Sequence, residues 1–114
     1  MREISIDKLA ELIMAGFDGR IEFNGMVDYT LNGERFYEAR GRFLLSRVGK
    51  TNMPSQDTYL LETDERGSHN SVEFRPTNRN VLVEETEKLG KIITLTTDFP
   101  PEGILRIFPE KITF

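Results

Sequence analysis

The sequence contains no cysteine, no tryptophan and one histidine. Without cysteine the chain cannot build a disulfide scaffold, a thiolate zinc site, an iron–sulfur site or a cysteine nucleophile. Long apolar runs are missing too. None approaches the ~18–20 residues a helix needs to span a bilayer. The first twenty residues carry Glu3, Asp7, Glu11 and Asp18, which disagrees with the basic head and apolar body of a signal peptide. No Asn-x-Ser/Thr triplet occurs. Positive charge is the scarcer sign, with 15 basic against 19 acidic side chains and a net charge of -4. That balance argues against a general nucleic-acid binder. Together these absences point to a cytoplasmic protein with no membrane association. The 114 residues suit one domain, 1–114, able to bury roughly two thirds of the surface of its unfolded chain.

What is present reads as one helix followed by a long β-meander over residues 19–114. Over residues 5–16, Ser5 can cap the first turn and Asp7 favours its dipole. Ile6, Leu9, Ala10, Ile13 and Phe17 recur at helical spacing on one face. Gly16 is expected to supply a left-handed stop. From residue 19 the apolar period becomes two. Ile21 and Phe23, then Val27, Tyr29 and Leu31, then Tyr37, Ala39, Phe43 and Leu45 alternate with polar neighbours, as half-buried antiparallel strands do. Later strands are expected at 58–63, 71–75, 81–85, 91–97 and 104–108, the last extended through 111–114 past a kink at Pro109. The predicted fold is α+β and mainly β. One N-terminal helix packs on a curled antiparallel up-and-down sheet, or a small barrel, of about eight strands.

Two Asn-Gly pairs, Asn24-Gly25 and Asn32-Gly33, carry the strongest short hairpin signal. Two-residue loops would put charges on the apolar face, for example Asp28 opposite Ile21. Three-residue loops ending in glycine are therefore expected, pairing Ile21 with Val27, Tyr29 with Arg35 and Val27 with Tyr37. The irregular stretch 49–57 reads as a surface loop.

Chemistry is sparse. Leu44–Thr51 reads LLSRVGKT and ends like a phosphate-binding loop, but Leu44 replaces the first glycine and Pro54 discourages the helix that should follow. His69 lies in a polar turn with Ser68, Asn70, Asp64 and Glu65, with no nucleophile motif and too few ligands for zinc. The short acidic run Glu84, Glu85 and Glu87 reads as a solubilising strand end. No catalytic, cofactor-binding or metal-ligating set emerges, and an enzyme is not expected.

Charge is the uneven feature. Residues 35–50 carry +4 and residues 1–34 carry -4, the remaining flanks adding -4. Glu38, Arg40 and Arg42 share the strand face opposite Tyr37, Ala39 and Phe43. Such arginines can form cross-strand ion pairs with Glu22, Asp28 or Glu73. They can also grip carboxylates of a partner. The sequence thus suggests a non-enzymatic binding or regulatory module of the inhibitor, immunity or adaptor type. It would recognise another protein through Arg35, Phe36, Arg40, Arg42, Arg47, Lys50 and Arg75. One alternative is a small-ligand carrier with a barrel cavity lined by Phe23, Tyr29, Tyr37, Phe43, Leu61 and Phe74. Another is a nucleic-acid-binding module using the basic strand. A monomer is expected, or a dimer paired through open sheet edges.

Overall fold

A computed structural model describes residues 2–49, 52–65, 68–77, 81–87, 90–99 and 102–110. It contains one helix and eight antiparallel strands in one sheet. Strand β1 (Arg2–Ile4) is followed at once by α1 (Ile6–Met14), a short 3-10 turn (Phe17–Gly19), β2 (Arg20–Leu31) and β3 (Glu34–Val48). A second 3-10 turn (Pro54–Gln56) leads into β4 (Thr58–Glu65), β5 (Ser68–Pro76), β6 (Val81–Thr86), β7 (Gly90–Phe99) and β8 (Gly103–Pro109).

The helix forms where the apolar spacing puts it. The Ser5 hydroxyl accepts the Lys8 N–H at 3.0 Å, and Ile6, Leu9, Ala10 and Ile13 are buried. Each large aliphatic buried this way contributes about 1.5–3 kcal/mol. The end of the helix differs from expectation. Ala15 stays right-handed and Gly16 is extended. A side chain at Gly16 would collide with the Arg20 backbone carbonyl, so glycine is needed there for space rather than for handedness. The left-handed residues are Asp18 (φ 55°) and Gly19 (φ 69°). Phe17 therefore leaves the apolar face and is 87% exposed.

The sheet runs β2-β3-β4-β5 as a meander, and β6-β7-β8 as another. The two join on both sides. Beyond β2 the order continues to β8, and β8 also pairs with β7. On its other edge β7 holds β6 along Gly90–Thr94 and reaches β5 at Thr97–Phe99. The pairings β2-β3-β4-β5-β7-β8 thus close on themselves, and β6 with β1 branches off β7. Closure removes the two free edges that a flat sheet of these six strands would expose.

The two Asn-Gly pairs behave differently. At Asn32-Gly33 the chain turns tightly, with Leu31 opposite Glu34 and both turn residues at positive φ (52° and 81°). This is a two-residue loop, not the expected three-residue one. The register is restored by a bulge: Tyr29 faces Tyr37, Thr30 faces Arg35, and Phe36 is the extra residue. Asn24-Gly25 is no turn at all. It lies inside the twelve-residue strand β2, with Gly25 opposite Gly41, so Ile21 meets Leu45 rather than Val27. A Cβ on Gly25 would strike the Phe108 carbonyl of β8. Glycine at position 25 lets the β8 backbone approach closely. His69 also departs from expectation, since its backbone lies in β5 opposite Asp64.

Inward positions fill the enclosed space. Phe23 stacks on Phe43 with centroids 5.3 Å apart, Tyr59 stacks on Phe74 at 5.8 Å, and Tyr29 stands edge-on to Phe74 at 6.4 Å. Helix side chains Ile6, Leu9 and Ile13 join the same buried cluster. The helix lies against β2, β3 and the Pro54–Gln56 turn, over one end of the barrel.

Candidate protein-binding face

Strand alternation sends Glu38, Arg40, Arg42 and Leu44 of β3 to the outside of the barrel. Closure then sets β8 beside β2. Across β8, β2 and β3 the outer face reads, row by row, Arg106–Asp28–Glu38 and Phe108–Met26–Arg40, and Asn24–Arg42 comes next on β2 and β3. The basic strand is therefore one column of a three-strand surface.

Its arginines are not equivalent. Arg42 Nε lies 2.6 Å from Glu22 Oε1, and Arg35 lies 3.0 Å from Glu38 Oε2 and 3.9 Å from Asp28 Oδ1. The pairs with Glu22 and Asp28 are the cross-strand pairs the alternation suggests, Arg35–Glu38 is a pair within β3, and exposed pairs of this kind contribute ~0–1 kcal/mol each. Arg75 sits on β5, beyond β4, and pairs with Asp98 at 2.7 Å. Arg47 shares the inward parity of Phe43 and Leu45. Its guanidinium meets Asp57 beneath the helix, the two side chains being 11% and 1% exposed. Lys50 lies outside the described residues. Phe36 is half exposed at the β2–β3 bulge, its ring edge-on to Tyr29 at 5.7 Å, so it stands at the barrel rim rather than in the arginine column.

Arg40 is exposed and donates to the Met26 sulfur at 3.7 Å. Among the described residues it makes no ion pair. Arg106, likewise exposed, makes none either. Arg40 shares its row with Met26 and Phe108, both partly buried, and Arg106 lies in the next row, beside Asp28. Sequence reading misses Arg106 because it lies far from residues 35–50 along the chain. Its outward position between buried Leu105 and Ile107 was readable, but its adjacency to β2 depends on barrel closure.

Around Asp57 the loop is tied down. Tyr59 donates to the Pro54 carbonyl at 3.2 Å, and the Asp57 N–H reaches the same carbonyl at 3.3 Å. Burial pushes the Tyr59 phenol up to about 12, against the opposing pull of Arg47. Burial also raises Tyr29, whose hydroxyl donates to Thr97 Oγ1 at 2.9 Å. The phosphate-loop resemblance finds no support in the backbone, since antiparallel β4 and not a helix follows the second 3-10 turn. Among the described residues no three metal-ligating side chains converge, and no helix is long and apolar enough to cross a membrane.

Comparisons of the chain with protein-family models, curated proteins and solved structures found no match.

Proposed function

We propose that this chain is a non-enzymatic binding module, of the inhibitor, immunity or adaptor type, that takes an acidic protein segment on the outer face of β8, β2 and β3. The observation that carries the reading is the pair Arg40 and Arg106, exposed and in no ion pair among the described residues, with Arg40 in the row of Met26 and Phe108 and Arg106 in the next row along β8. Their neighbours Arg35 and Arg42 are already neutralised within the chain. Two unpaired guanidinium forks beside apolar side chains fit a partner carrying carboxylates next to apolar residues. The interior supports the carrier alternative poorly. Of the residues that would line a cavity, Phe23, Tyr29, Phe43, Leu61 and Phe74 belong to one buried cluster, and Tyr37 is partly buried against it.

The test is capture from a lysate of the native host with wild type and with the doubly charge-reversed Arg40→Glu/Arg106→Glu variant. A second variant, Asp7→Lys/Glu11→Lys on the helix, is the control. The partner should be retained by wild type and by the helix variant and lost by the arginine variant. Equal retention by all three removes this face as the docking surface.

A further inference from the structure

At the β2–β3 turn the barrel is open. Here a cleft of about 630 Å³ runs between the Asn32-Gly33 turn, the end of β7 and the start of β8. Its walls carry three hydroxyls, from Thr30, Thr77 and Thr96, together with Asn32 and Glu102, while Thr97 is fully buried behind them. The lining is braced from behind. Tyr29 donates to Thr97 Oγ1 at 2.9 Å, the Thr77 and Thr96 hydroxyls are 2.7 Å apart, and the Asn32 N–H donates to the Glu102 carbonyl at 3.2 Å. Threonine hydroxyls each offer a donor and acceptor capacity. No cationic side chain lines the cleft among the described residues, and Glu102 is its one carboxylate.

Apolar surface stands beside these groups. Ile104 lines the cleft and is 37% exposed. Gly103 lets β8 press close to the Thr30 carbonyl and the Leu31 side chain, which fixes the width of the floor. Small sugars have this same duality, with hydroxyls that both donate and accept around the edge and C–H surfaces on the ring faces. The volume lies within the range of small-molecule sites.

We propose that this cleft binds a small neutral saccharide. The probes are maltose, cellobiose and chitobiose, each titrated to about 50 mM against the isotope-labelled chain, because an open site of this size is expected to bind in the millimolar range. Butylammonium chloride serves as the cationic competitor. At least one disaccharide should shift the amides of Asn32, Gly33, Thr97 and Gly103 saturably. Thr96→Val should weaken that binding by about threefold to tenfold, the loss of one hydrogen bond. Glu102→Gln, an exposed change that leaves the core untouched, should weaken it similarly and keeps the test valid if the valine variant misfolds. Absence of saturable shifts with all three sugars overturns the proposal. So do shifts produced by butylammonium in place of sugar, or wild-type binding by folded forms of both variants.

Discussion

Arg40 and Arg47 lie on the same strand and serve opposite ends. Arg47 points inward, meets Asp57 under the helix, and is consumed by the fold. Arg40 points outward, donates to the Met26 sulfur, and makes no ion pair among the described residues. The contrast extends to their surroundings. The inner region is a fixed network in which Tyr59, the Pro54 carbonyl and Asp57 hold the loop before β4. The outer region is a ladder of exposed pairs with two guanidiniums unspent. A count of charges along the chain treats these arginines as one patch, whereas burial separates the structural from the available.

The sharpest way to break this distinction is at Asp57. Removing its carboxylate in Asp57→Ala takes the ion pair from the nearly buried Arg47 guanidinium, and breaking a buried pair costs about 3–5 kcal/mol. Urea denaturation should show a midpoint lowered accordingly with an unchanged slope. The paired replacement Arg47→Met/Asp57→Leu should recover most of the loss.

The seam that brings Arg106 to Arg40 is tested next. In Gly25→Ala the new methyl meets the Phe108 carbonyl, and the resulting overpacking should cost about 2–3 kcal/mol. Gly33→Ala meets no atom and bears only its left-handed backbone, about 1 kcal/mol. Equal losses measured for the two variants would contradict the strand assignment of Asn24-Gly25.

The inner network also predicts a pH dependence. The Tyr59 phenol is held up to about 12 by burial, against an ordinary value near 10. The folded state keeps that proton longer than the unfolded state. The stability it contributes is complete below about pH 10 and is lost as pH rises toward about 12. Ultraviolet titration should show late tyrosinate ionisation from Tyr59 and Tyr29, and Tyr59→Phe should remove the Tyr59 share of it. The smallest effect belongs outside: Arg42→Ala breaks only the exposed pair with Glu22 and should change stability by less than about 1 kcal/mol.

Much of the fold is legible in the residues. Ser5 and the Ile6, Leu9, Ile13 spacing locate the helix, and alternation locates most strands. Asn32-Gly33 reads correctly as a reversal, although the compensating bulge at Phe36 does not, because a bulge leaves no mark in local pattern. Asn24-Gly25 misleads for a physical reason. Glycine serves equally where a chain turns and where another backbone must come close, and only the position of β8 distinguishes them. The three residues of β1 are too short to show a period. Of the binding face, Arg40 and Arg42 follow from parity, and parity also sends Arg47 inward beside Leu45. Arg106 joins only through the long-range β2–β8 pairing, which no local signal carries.

The account turns on whether the outer face is where a partner sits. The most direct measurement is hydrogen exchange of this chain alone and in complex with the captured partner. The account predicts new protection at residues 24–28, 38–42 and 104–108, with the helix unchanged. Protection confined to residues 6–14 and 52–57 would contradict it.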